Sequence, residues 1–239
     1  MKLTAAAFAA LAPQACLCLV QSDWSFPNSP SGGLKDLTFG FYMGYAPHAA
    51  GYYFAQQFNF NGISDVGYIG LQPRPNVDGH NVAHAAFSTF QAGSTTADPN
   101  CSQGADGGAG VSCAVDFNAD YSHTYHVVVE FDSGTTWSGK VVDTTSGQET
   151  HIGTYTLPSG AGGIKSSQVG FVEYYPWNSG THNCGDLPKA GVTMYYPTTS
   201  TSGAGAGTIG QPYENGDCVG DVAFSISQGV GAWNINVGF

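Results

Sequence analysis

The stretch that decides the fold runs from Tyr125-His126-Val127-Val128-Val129-Glu130-Phe131, through Thr136-Trp137-Ser138-Gly139-Lys140-Val141-Val142-Asp143, to Glu149-Thr150-His151-Ile152-Gly153-Thr154-Tyr155. Each run is rich in β-branched and aromatic residues, and the joints are short: Asp132-Ser133-Gly134 and Thr145-Ser146-Gly147-Gln148. Such joints are turn-forming, so residues 124–156 read as an antiparallel meander.

Working outward, similar runs bounded by Gly, Asn, Asp and Pro lie at 37–45, 51–60, 66–72, 82–90, 111–117, 168–175, 190–197, 221–227 and 232–238. Short strands at this spacing predict an all-β protein, a two-sheet antiparallel β-sandwich. No window keeps a 3.6-residue apolar period for more than two turns. Two stretches break the pattern. Residues 91–110 read as a Gly/Ser/Asp/Asn loop, and 198–211 as a flexible Thr/Ser/Gly/Ala insertion that Cys184 and Cys218 can bracket.

The chain has 239 residues. It opens with Met1-Lys2, an Ala/Leu/Phe-rich run and then Cys16-Leu17-Cys18-Leu19-Val20-Gln21-Ser22, the pattern of a secretory leader. Cleavage is expected after Ser22, leaving residues 23–239 as one exported domain. Export into an oxidising compartment makes Cys101, Cys113, Cys184 and Cys218 two structural disulfides, and spacing alone leaves all three pairings open. No stretch reaches the roughly 20 apolar residues of a membrane span. Six Lys+Arg against 17 Asp+Glu leave too few cations to neutralise phosphates, so nucleic acid and anionic membranes are not expected partners. No metal-ligand spacing or cofactor motif is present, and a monomer is expected.

Function is sought on Gln168-Val169-Gly170-Phe171-Val172-Glu173-Tyr174-Tyr175-Pro176-Trp177, where a carboxylate interrupts a run that otherwise reads as buried strand. Side chains alternate along a strand, so Phe171, Glu173 and Tyr175 share one face. Applied to every strand, the same rule gathers Tyr42, Gln57, Asn59, Tyr68, Gln72, His84, Ser88, His126, Glu130, Glu173 and Tyr175 on polar faces. Apolar sets such as Phe39/Phe41/Met43 and Tyr125/Val127/Val129 fall on the others. A wet sheet face looks similar, but Tyr, Gln, His, Asn and Glu dominate here where Lys, Thr and Ser are usual.

In order along the chain, Gly67-Tyr68-Ile69-Gly70-Leu71-Gln72, Ala86-Phe87-Ser88, the Gly-rich Gly104–Gly110 run ending in Cys113, Trp137-Ser138-Gly139, Phe171-Val172-Glu173-Tyr174-Tyr175 and Cys184-Gly185-Asp186-Leu187-Pro188 form a pattern that resembles the DUF3472 family of secreted proteins. The resemblance covers roughly residues 50–197. It implies a concanavalin-like or jelly-roll sandwich of a kind often seen among carbohydrate-active proteins, and it carries over no catalytic residue. It also implies pairing of Cys113 with Cys184, which leaves Cys101 with Cys218.

The expected function is therefore binding of a polysaccharide or oligosaccharide along one sheet, with or without cleavage by hydrolysis or elimination. Aromatic rings at Tyr42, Tyr68, Tyr175 and Trp177 supply stacking surfaces. Gln57, Asn59, Gln72 and Glu173, with His84, His126 and Glu130, supply polar contacts. Glycoside hydrolysis needs a second carboxylate, for which Glu130 and Asp106 are the candidates. A lyase needs a base among Tyr68, Tyr175, His84 and His126, and a cation of which Arg74 is the one arginine. An acid endopeptidase of glutamic type is the alternative: Glu173 activates water while the Gln72 amide stabilises the oxyanion. A non-catalytic effector or structural protein is the third reading.

Overall fold

The computed structural model describes residues 18–176 and 183–239. In chain order the strands are β1 (Cys18–Ser25), β2 (Asp36–Tyr42), β3 (Tyr52–Asn59), β4 (Val66–Pro73), β5 (Val82–Thr89), β6 (Cys101–Ala105), β7 (Gly108–Asn118), β8 (Thr124–Ser133), β9 (Thr136–Asp143), β10 (Glu149–Thr156), β11 (Ser167–Tyr174), β12 (Ala190–Tyr195), β13 (Thr208–Ile209), β14 (Tyr213–Glu214), β15 (Ser225–Gly229) and β16 (Ala232–Val237). No α-helix occurs among the described residues, as the sequence predicts; a 3-10 turn spans Cys184–Asp186.

The strands form two antiparallel sheets. Sheet one runs β13-β1-β11-β3-β4-β5-β7-β6, with β14 also paired to β1, and sheet two runs β10-β9-β8-β2-β12-β16-β15. The inward faces carry large aromatics that meet across the gap. Trp24 of β1 lies edge-on to Phe39 of β2 at 5.4 Å, and Phe87 of β5 stacks on Tyr155 of β10 at 4.4 Å. All four are essentially fully buried, each worth roughly 1.5–3 kcal/mol in transfer free energy. The predicted alternation therefore holds: Phe39, Phe41, Ile69, Leu71, Val127 and Val129 point inward.

Cys18 to Ser22, expected at the end of the leader, are the first residues of β1, and two loop expectations need correction. Val20, Gln21 and Ser22 pair with Val172, Phe171 and Gly170, and Leu19 and Val20 lie in the core. Five of the eight residues of β1 therefore precede the expected cut after Ser22. The stretch 91–110 is not all loop, because β6 lies within it and pairs with β7 through an Asp106-Gly107 turn. Both turn residues have positive φ, 47° and 77°, as a tight hairpin of this kind requires. The run 198–211 is held down rather than loose. The Asp36 carboxylate accepts from Ser200 N at 2.8 Å and from the hydroxyls of Thr199, Ser200 and Thr201, while Thr208–Ile209 pairs with β1. Strand β15 starts four residues later than the predicted 221.

The disulfides also differ from what the family resemblance implies. Cys101 bonds Cys113 and Cys184 bonds Cys218. The register explains the first, since Cys101 and Cys113 are direct cross-strand partners on β6 and β7.

Two predictions follow from these ties. The Cys184–Cys218 bridge closes a separation of 34 residues, for which loop entropy gives about 3–4 kcal/mol. Replacing both cysteines by Ser should lower the denaturant-unfolding free energy by about 3 kcal/mol, and an unchanged midpoint would refute that role. The β9–β10 turn is organised by Asp143, which accepts from Thr145 N at 2.9 Å, Ser146 Oγ at 2.8 Å and the His123 ring at 3.0 Å. Burial opposes its charge, yet these bonds hold the carboxyl down at about 2, below the ordinary 3.8. A depressed pKa stabilises the fold above pH ~4 and loses that contribution as pH falls through ~2. Asp143→Asn should therefore melt earlier than wild type at pH 6, with the gap closing by pH 2.

Candidate active site

The outward face of sheet one carries the site, and the strand register builds it. Glu173 of β11 pairs with Tyr53 of β3, Gln72 of β4 with His84 of β5, and His84 with Asp116 of β7. Ala55 pairs with Gly70 and lies opposite Phe171. Alternation then sets Tyr53 and Gln72 on the same face, side by side. The result is one row across five strands: Glu173, Tyr53, Gln72, His84, Asp116. Strands lie about 4.8 Å apart, so Glu173 and Gln72 stand on backbones roughly 10 Å apart, with Tyr53 on the strand between them.

The next row, Phe171, Ala55, Gly70, Ala86 and Ala114, is mostly small and forms a low floor. The row beyond contains Gln57, Tyr68, Ser88 and Ser112. Gly70 is forced by contact: a Cβ there would lie 2.1 Å from the Phe54 carbonyl oxygen and 2.9 Å from Ala55 Cβ. Tyr53, Ala55, Ala86 and Phe171 make a second apolar cluster, separate from the core, with Tyr68 and Tyr175 packed on it. The rings meet edge to face, Tyr53 with Tyr68 at 5.3 Å and with Phe171 at 5.7 Å, and Tyr68 with Phe90 at 5.3 Å. They are therefore occupied with one another.

The charges around this floor are specific. Glu173 is only 8% exposed, in the low-polarity setting that strengthens any interaction it makes. Tyr68 donates to both Asp106 oxygens at 3.4 Å. Burial, then the Asp106 charge, and less strongly that of Glu173, raise the Tyr68 pKa, so its hydroxyl keeps its proton. His84 Nδ1 bonds Asp116 at 2.7 Å. Burial lowers the His84 pKa, the Asp116 bond works against that, and Arg74 adds to it. At the end of the row Arg74 Nη1 donates to the Tyr175 hydroxyl at 2.6 Å, which also accepts from Gly51 N at 2.9 Å.

Of the predicted residues, the fold brings together Glu173, Gln72, Tyr68, His84, Gln57, Asn59 and Tyr175 on this face; Asn59 accepts from Gln168 Nε2. It does not bring three others. Tyr42, His126 and Glu130 belong to β2 and β8, in sheet two, and project from the opposite side of the sandwich. Glu130 is paired with Lys140 at 3.3 Å, which also meets Glu149 at 3.3 Å. It is thus no second carboxylate for Glu173, whereas Asp106 remains on the right side. Trp177 lies outside the described residues. Alternation alone cannot say which sheet a polar face belongs to, and that is why the three were grouped with the rest.

Two residues were missed. Tyr53 looked like one more aromatic in a buried run, Gly51-Tyr52-Tyr53-Phe54-Ala55, although alternation from Gln57 marks it as outward. Gln56 is fully buried on the inner face, its Nε2 3.5 Å from Met194 Sδ and its Oε1 without a partner among the described residues. Among those residues no group of three or more metal-ligating side chains occurs.

No protein-family model and no curated protein matches the chain. Among solved structures it is similar to scytalido-glutamic peptidase bound to a transition state analog inhibitor, with a TM-score of 0.48 at 11% identity over 94% of this chain and 100% of that one. It is also similar to SCP-B, a member of the eqolisin family of peptidases, in complex with the tripeptide Ala-Ile-His, with a TM-score of 0.46, 11% identity and the same coverage. The enzymatically active domain of bacteriophage CBA120 tailspike protein 2 gives 0.33 at 10% identity, over 82% of this chain and 24% of that one.

The floor of the site offers its own test. Gly70→Ala places a methyl group against backbone that cannot move aside, so it should cost about 1–3 kcal/mol. Chemical denaturation reads this directly, and wild-type stability would show that the β3–β4 contact is looser than described.

Proposed function

We propose that the chain is an acid-acting hydrolase of an extended polymer, an endopeptidase of glutamic type, with Glu173 and Gln72 as its catalytic residues. The observation that carries this reading is the register that sets a buried carboxylate and an amide in one row on the outward face of one sheet. In the reaction, Glu173 takes a proton as a water oxygen bonds to the scissile carbonyl carbon, and the Gln72 amide N–H donates to the oxyanion that forms. The protonated Glu173 then delivers its proton to the leaving amine as the C–N bond breaks. With two disulfides in the fold, we read the enzyme as exported and working outside the cell as a monomer.

Polysaccharide binding and cleavage on the same face is the second reading. What favours it is that Asp106, held at 3.4 Å by the Tyr68 hydroxyl, is a second carboxylate on the same side of the sandwich as Glu173, and glycoside hydrolysis uses a pair of carboxylates. Against it, the aromatic rings of this face pack edge to face with each other rather than presenting free stacking surfaces.

Both readings are tested by incubating purified protein near pH 3 to 4 with a denatured protein and, separately, with a panel of polysaccharides, followed by product analysis. Peptide products are expected, with Glu173→Gln lowering the rate by about 10³-fold and Gln72→Ala by about 10²–10³-fold, and circular dichroism confirming folded variants. An inactive wild type on protein, or full activity in Glu173→Gln, overturns the peptidase reading. Saccharide products would put the second in its place.

A further inference from the structure

The outward face of sheet two, on the far side of the sandwich from Glu173, holds a cavity of about 380 Å³, within the range of small-ligand pockets, roughly 300–1,000 Å³. Its walls are Tyr42, Tyr45 and Tyr195, with Thr193 and Asn234 at the base and Val230 at the rim. None of its lining residues carries a carboxylate, amine, guanidinium or imidazole.

The tyrosines are held in place by the backbone beneath them. Tyr42 and Tyr45 meet edge to face at 6.0 Å and 76°. Tyr42 leans over Gly44, where a Cβ would come within 2.2 Å of its hydroxyl, and Tyr195 lies over Gly40, where a Cβ would meet Tyr195 Cβ at 3.0 Å. Tyr45 nonetheless keeps 69% of its surface in water, and Val230 is fully exposed. The polar base is equally fixed. Thr193 pairs across the ladders with both Tyr42 and Asn234. Its Oγ1 donates to Asn234 Oδ1 at 2.7 Å, and Asn234 Nδ2 donates to Ser227 Oγ at 3.1 Å. Each end of that amide is oriented by one bond and retains capacity for a second.

Rigid exposed tyrosine rings beside a pre-oriented neutral amide and hydroxyls suit a ligand with an apolar C–H surface and a rim of hydroxyls. With no carboxylate, amine, guanidinium or imidazole among its lining residues, the site is fitted to hold such a ligand, and nothing in the lining compensates a charged one. We propose that this groove is a second, non-catalytic site that binds a neutral sugar, one or two uncharged pyranose units of a glycan, and so attaches the protein to a polysaccharide surface. The inference stands independently of the chemistry assigned to Glu173.

The test is calorimetric titration of the full chain with neutral tetrasaccharides of glucose, mannose and xylose, and with a galacturonate tetramer as the charged control. One neutral tetrasaccharide should bind. Tyr45→Ala, a change at an exposed position, should weaken it roughly tenfold or more, and Asn234→Ala, checked for folding by its melting curve, should also weaken it. Glu173→Gln should bind it unchanged. Absence of binding by every neutral tetrasaccharide at about 10 mM, wild-type affinity in Tyr45→Ala, loss of binding in Glu173→Gln, or tighter binding of the galacturonate tetramer would each overturn the proposal.

Discussion

The register between β11, β3 and β4 is the constraint on which the rest depends. A strand shifted by one residue turns every side chain to the other face, and here it would drive Glu173 into a core of Phe54, Ile69 and Leu71. The pairing is held by shape. Gly70 lies close against the Phe54 carbonyl and Ala55, where no larger residue fits. On the inner side Gly170 fills against Gln56, where a Cβ would meet the amide oxygen at 2.2 Å. Two glycines, one on each side of β3, thus fix which residues of β4 and β11 lie beside it.

Given that register, the electrostatics of the outer face follow. Glu173 is shielded from water beside its ladder partner Tyr53, the protonated Tyr68 donates to Asp106, and His84 is tied to Asp116. The opposite face is built on another plan. Around β2, β12 and β16 it is neutral and tyrosine-rich, and Glu130 and Glu149 share the one ammonium of Lys140 across β8, β9 and β10. The two faces of one sandwich therefore present different chemistries.

Much of this was legible in the sequence. The turns around Asp132 and Ser146 defined the meander because their residue types leave few conformations, and alternation assigned inward and outward residues on β2, β4, β8 and β11 because one side of each is hydrocarbon. Pairing between distant strands was not legible. Whether Tyr42 and Glu173 share a face depends on which sheet β2 joins, and nothing local to Phe39-Gly40-Phe41-Tyr42 carries that information. The same gap explains the cysteines, whose partners depend on β6 lying against β7. The Asp106-Gly107 hairpin, by contrast, was readable from its dipeptide and was overlooked inside a Gly-rich run.

Strand β1 has a consequence for how the molecule comes into being. It pairs with β11, whose residues lie some seven-tenths of the way along the chain, so its ladder partner does not exist when it leaves the ribosome. Until most of the polypeptide has been synthesised, Leu19, Val20 and Trp24 have no sheet to join, and the strand that carries Glu173 lacks one of its two neighbours. Such a topology folds slowly. It also couples the order of β11 to the very first segment described, so the Glu173 end of the outer row is completed only when the two ends of a long loop of chain have met.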